Sequence, residues 1–210
     1  MKSDKTNLVS PFAGLRPAMG RAGDVAAPPY DVVNSAEARA LAAGRPHSFF
    51  HISRAEIDLP EDTDPYADEV YETAARNFSV FITDGVLVRD SKACYYVYRI
   101  TAGDVIQTGV AVSASVDAYN SNRIKKHEFT RPSKEDDRVR QIEAVNSITG
   151  PVLTIHRADP LLAEILTGAT KAPPDAVADA IGGALHELWV VSDNSAVAKI
   201  SDIMNQMDAL

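Results

Sequence analysis

At 210 residues the chain is long enough to bury a sizeable core, and 45% hydrophobic with 24% charged residues is ordinary for a globular protein. A formal net charge of −8 argues against a generic nucleic-acid binder, which needs a basic face to neutralise phosphates. A single cysteine, Cys94, excludes an internal disulfide and a Cys-rich zinc site, and no run approaches the ~18 apolar residues of a membrane-spanning helix.

Cys94 fits a reducing compartment and sits in the strand-like "ACYYVYRI", where a buried structural thiol is expected. The N-terminal "MKSDKTNLVSPFAGLRP" lacks the apolar segment of a signal peptide, so the chain reads as cytoplasmic. A short apolar strand is expected at Val25 to Ala27, before Pro28-Pro29 forces an extended corner that presents Tyr30 and Asp31. Asn34 and Glu37 make a capping box for a short helix that Gly44 ends. "HSFFHIS" (His47 to Ser53) has strand character; its two histidines share a face, but structural roles outweigh a metal site. Asp64-Pro65 predicts a helix start, and Val70, Tyr71, Ala74, Phe78, Phe81 and Ile82 recur at helical spacing until Gly85.

"GVLVRD", "CYYVYRIT" and "VIQTGVAVSASV" are β-rich, the last two joined by Ala102-Gly103-Asp104, and they predict an antiparallel meander. Tyr96 and Tyr98 would share one face, and Tyr95, Val97 and Arg99 the other. Beyond the charged stretch discussed next, Pro151 to Arg157 and "HELWVVS" read as strands. Asp159-Pro160 starts a short helix, and a terminal helix runs from about Ser195 to Met207. Without a regular βαβ alternation the expected class is α+β, with a mixed or antiparallel sheet, a β meander and packed amphipathic helices, in one unit over 1–210.

The chemistry concentrates in "RIKKHEFTRPSKEDDRVRQIEAVNSITGP", Arg123 to Pro151, where seven of 21 lysines and arginines fall within residues 123–140. Ser133 is expected to cap a helix whose first turn holds Glu135 to Asp137 and whose packed side is Val139, Ile142 and Val145 or Asn146. Helix stability alone explains that part. The preceding "RIKKHEFTRP", kept irregular by Pro132, delivers Arg123, Lys125, Lys126, His127 and Arg131 toward a helix N-terminus. Such a group suits a phosphate or carboxylate, with Glu128 or His127 as candidate general bases. No Walker loop or Gly-x-Gly-x-x-Gly is present, and "TGVAVSAS" lacks a nucleophile elbow.

"PFAGLRP", "VAAPPYDVVNSAEARALA", "FFHISRAEIDLP", "DPYADEVYETAARNF", "YYVYR", "IKKHEFTRPSKEDDRVRQIEAVNSITGPV" and "HELWVV" together resemble the bacterial and archaeal domain-of-unknown-function family numbered 1015. Its members are typically about twice as long. They carry, beyond the point matching Leu210, an Asp-Gly-His-His-Arg motif similar to the phosphate-binding signature of the ParB/sulfiredoxin superfamily. That motif is not in this sequence, so the resemblance implies an N-terminal half.

By that resemblance the expected function is a small-molecule phosphotransferase, acting on serine or a similar hydroxy compound with ATP or ADP and Mg²⁺. Lys125, Lys126, His127, Arg131 and Arg138 would bind phosphate, Glu128 or Asp31 would take the hydroxyl proton, and Asp136 and Asp137 would help hold the metal. The alternative is a non-catalytic module that binds an anionic metabolite. A homo-oligomer is compatible with either, and neither calls for a membrane or nucleic acid.

Overall fold

A computed structural model describes residues 7–126, 130–179 and 183–207, and its helices and antiparallel sheets form an α+β protein. Two short strands, β1 (Val9–Ser10) and β2 (Leu15–Pro17), precede the short helices α1 (Ala22–Val25), α2 (Ser35–Ala42) and α3 (Phe50–Ser53). A 3-10 turn (Ala55–Asp58) leads to the long helix α4 (Asp68–Thr83), followed by β3 (Leu87–Arg89), β4 (Tyr95–Ala102), β5 (Val105–Ala111) and β6 (Ser113–Ala114). Then come α5 (Val116–Asn120), α6 (Pro132–Val145), α7 (Pro160–Ala169), β7 (Ala176–Asp179), β8 (Leu185–Val191) and α8 (Asn194–Gln206).

The main sheet has the order β5-β4-β8-β7, antiparallel throughout. The β4–β5 hairpin turns at Gly103, whose φ of 58° lies in the left-handed region. Alternation along β4 puts Tyr95 and Val97 into a core with Trp189, Val191, Leu162, Ile200 and Met204, contributed by β8, α7 and α8. Tyr96 and Tyr98 take the opposite face. "GVLVRD" does not join this sheet: β3 pairs with β2, Leu15 opposite Arg89, after the turn at Gly85 redirects the chain. A second core joins α3, α4, β3 and Val145 of α6 through Ile52, Ala74, Phe78, Phe81 and Val86. A third sets Ala38 and Ala42 of α2 against Phe50 and Ile57.

Several local expectations are corrected. Val25 ends α1 instead of opening a strand, and "HSFFHIS" closes into α3, because Phe50 and Ile52 must enter two different cores. Asp64 accepts from the Tyr66 backbone N–H in an isolated turn, so α4 starts later, at Asp68. Pro132 is the first residue of α6, with Arg131 rather than Ser133 at the N-cap, since an N1 residue needs no N–H partner. Residues 151–157 form no strand and are exposed throughout. The capping box of Asn34 and Glu37 and the Asp159 cap of α7 form as expected.

The largest correction concerns α6. Its buried residues are Asp137, Gln141 and Val145, spaced four apart, while Val139 and Ile142 are 47% and 39% exposed. The helix is rotated so that polar side chains face the protein. A buried carboxylate and an exposed apolar pair carry far more information than ordinary amphipathicity.

Candidate functional site

Three chain segments converge on the polar face of α6. From α4, the Tyr71 hydroxyl donates to Asp137 Oδ1 at 2.7 Å. Burial first, and then the bond to Asp137, push the Tyr71 phenol far above its usual pKa, so it stays a proton donor. Arg138 grips the other oxygen, with Nη2 and Nε 2.7 and 3.1 Å from Asp137 Oδ2. Its guanidinium lies 3.8 Å from the centre of the Tyr30 ring, delivered by the Pro28-Pro29 corner. Gln141 Nε2 donates to the Ile52 carbonyl at 3.0 Å, satisfying the end of α3.

The residues after α3 supply the opposite wall. Arg54 pairs with Glu56, Nε to Oε1 at 3.0 Å, and its Nη2 donates to Ser35 Oγ at 3.1 Å. Ser35 in turn donates to Glu56 Oε1 at 2.9 Å, so a buried carboxylate is shared by a cation and a hydroxyl. Arg39 supports this corner by donating to the carbonyls of Glu56, Ile57 and Leu59. At the rim, the Lys134 ammonium donates to the Tyr66 hydroxyl at 3.0 Å, which holds its pKa above the usual lysine value.

Between these walls lies a narrow cleft lined by Tyr30, Ser53, Arg54, Lys134, Asp137 and Arg138, among others. It encloses about 30 Å³ open to water, room for one or two waters. Three cations, Arg54, Lys134 and Arg138, stand against two carboxylates, Asp137 and Glu56, so the lining carries one net positive charge.

The residues nominated by the sequence are divided by the fold. Arg138 and Asp137 belong to the cleft, and Asp31 is exposed beside Tyr30. Arg131 is exposed at the N-cap of α6. Lys125 and Lys126 are exposed after α5, and the Lys126 ammonium sits 4.6 Å from the Tyr119 ring. No hydrogen bond or ion pair links either lysine to the cleft among the described residues. His127 and Glu128 lie outside the described residues.

Asp136 and Asp137 point about 100° apart around the helix. Asp136 is solvent-facing, and both Asp137 oxygens are engaged. The pair does not converge on one metal, and no group of three or more potential ligands occurs among the described residues.

The cleft also contains residues that charge counting along one segment passed over: Tyr30, Ser53, Arg54, Tyr66 and Tyr71. Their signal was present in "PPYD", "HISR" and "DPYADEVYE", stretches that look unrelated until folding stacks them on "SKEDDRVRQ". No curated protein matches the chain, and no solved structure does. One family model does match, over residues 9–210, which takes in every segment of the cleft. The chain therefore belongs to the family described as protein of unknown function (DUF1015).

Proposed function

We propose that the exposed rim of this cleft receives the phosphate or carboxylate of a small metabolite, and that the protein is a small-molecule phosphotransferase of ParB-like type acting on serine or a similar hydroxy compound. The observation that carries the proposal is the inverted face of α6. Asp137 and Gln141 are buried while Val139 and Ile142 are exposed, and with that orientation Arg138 and Lys134 line the cleft together with Arg54. A rigid guanidinium suits an anion because its orientation is fixed before binding.

In the proposed transfer, the substrate hydroxyl oxygen forms a bond to the terminal phosphorus of ATP or ADP. The bridging P–O bond breaks, and the hydroxyl proton passes to a carboxylate. Asp31, exposed beside Tyr30, is the described candidate for that base; Glu128 is the other. Arg54, Lys134 and Arg138 would balance the charge of the phosphorylated ligand. Mg²⁺ would arrive with the nucleotide, since Asp136 and Asp137 do not form a joint site.

A non-catalytic anion-binding module is the second reading. It is favoured by the internal pairing of Arg54 with Glu56 and of Arg138 with Asp137. The test combines calorimetry with inorganic phosphate, O-phosphoserine and ATP, and phosphorus NMR of ATP or ADP with serine. Lys134→Ala removes a charge-assisted contact without disturbing the core, so phosphate-bearing ligands should bind about 10-fold or more weakly. Equal affinity in wild type, Lys134→Ala and Arg54→Gln removes the cleft from function. Binding without turnover selects the second reading.

A further inference from the structure

Tyr71 carries a buried hydroxyl that the proposed transfer leaves without a task. The residue is 6% exposed on α4, and its hydroxyl donates to Asp137 Oδ1 at 2.7 Å. That bond takes one carboxylate oxygen. Both Arg138 donors, Nη2 at 2.7 Å and Nε at 3.1 Å, meet on the other, Oδ2. A two-donor grip sets the plane of a guanidinium, so the direction in which Arg138 faces depends on how the carboxylate is turned. The torsion of a carboxylate about its last carbon–carbon bond is broad, and Asp137 by itself selects no single orientation. Tyr71 supplies the second fixed point.

Tyr71 is itself held in place. The Arg140 guanidinium lies 4.1 Å from the centre of its ring. Arg140 donates through Nη1 to the Tyr66 carbonyl at 2.8 Å and through Nη2 to Asp68 Oδ1 at 2.5 Å. At the other end Arg138 rests on Tyr30. One chain of contacts thus runs Asp68–Arg140–Tyr71–Asp137–Arg138–Tyr30, from the start of α4 to the Pro28-Pro29 corner. Arg138 Nη1 makes no hydrogen bond among the described residues and is not buried, so it is open to a ligand. Burial keeps the Tyr71 phenol protonated, so it adds no charge to the cleft. A neutral hydroxyl engaged with Asp137 acts on a bound anion through the orientation of Arg138.

We propose that Tyr71 is a positioning residue of the anion site: its hydroxyl fixes the Asp137 carboxylate and, through it, aims Arg138 at the ligand. This role rests on the reading that the rim of the cleft receives a phosphate or carboxylate. Packing alone does not call for the hydroxyl, since phenylalanine would present the same ring to Arg140.

Tyr71→Phe keeps the ring and removes one oxygen. Calorimetry with inorganic phosphate and O-phosphoserine should show affinity about 3–10-fold below wild type, the worth of one oriented hydrogen bond. Urea denaturation of the same samples corrects for any unfolded fraction. The deciding readout is a double-mutant cycle in binding. Arg138→Lys keeps the cation but loses the two-donor grip, so adding Tyr71→Phe to it should weaken phosphate binding by less than about 2-fold. Adding Tyr71→Phe to Lys134→Ala should still weaken it about 3–10-fold, because Lys134 is held by Tyr66 instead. A loss of the same factor in both backgrounds is a general structural effect and overturns the proposal. Affinity that falls with Lys134→Ala but not with Tyr71→Phe also overturns it, while leaving the cleft as the anion site. No binding to wild type, or equal binding by wild type, Lys134→Ala and Arg54→Gln, removes the site and the positioning role together.

Discussion

Arg138→Ala isolates the energetics of the buried polar face. Wild-type Arg138 donates twice to Asp137 Oδ2 and stacks on Tyr30. Its removal leaves a carboxylate only 8% exposed, with the Tyr71 hydroxyl as its remaining partner. Stripping one partner from a fully buried ion pair costs about 3–5 kcal/mol. Arg138 keeps 29% of its side-chain exposure; solvent screening therefore reduces the expected loss to about 2–3 kcal/mol. Losing the stack on Tyr30 adds about 0.5–1 kcal/mol.

The total, about 3 kcal/mol, corresponds to a fall in Tm of about 6–12 °C for a chain of this size. Urea denaturation at pH 7 measures it directly. The double variant Asp137→Asn/Arg138→Ala leaves no orphaned charge and should recover about 1–2 kcal/mol relative to Arg138→Ala alone. An Arg138→Ala protein within about 0.5 kcal/mol of wild type would refute the reasoning. A double variant no more stable than the single would refute it as well.

Further consequences follow elsewhere in the molecule. Gly14 donates its N–H to Tyr96 Oη at 2.6 Å, and a Cβ there would lie 2.7 Å from the same oxygen. Gly14→Ala should therefore cost about 1–3 kcal/mol in chemical denaturation. The Tyr96 ring carbon Cζ would lie 2.8 Å from that Cβ as well, so Tyr96→Phe, which keeps that carbon, should not restore the lost stability. His51 holds Asp58 through Nδ1 (2.8 Å) and the Arg45 carbonyl through Nε2 (3.1 Å), two acceptors that only the doubly protonated ring satisfies. The bond to Asp58, opposed by desolvation, raises its pKa above the ordinary 6.5. Its stabilisation is thus complete below pH 6.5 and lost as pH rises through the raised value. Stability of His51→Gln, followed by thermal melts from pH 5 to 9, should lack that decline; an unchanged pH profile would exclude His51 as its source.

Local chemistry in the sequence was sufficient for many of the elements. Asn34 with Glu37, and Asp159 with Pro160, announce helix starts, because a cap is decided by residues within one turn. The apolar spacing of α4 and the Ala102-Gly103-Asp104 turn of the β4–β5 hairpin are equally local, and with the irregular order of strands and helices they reveal the α+β class. The resemblance in "PPYD", "HISR" and "SKEDDRVRQ" marked the family, but not that these stretches meet. Their meeting was decided in three dimensions. Which face α6 buries depends on Tyr71, 66 positions from Asp137, and on the Ile52 carbonyl, 89 positions from Gln141. Periodicity alone favours Val139 and Ile142 as the inner face; two distant hydrogen-bond partners reverse that preference, because a polar group can be buried only where its partner already stands.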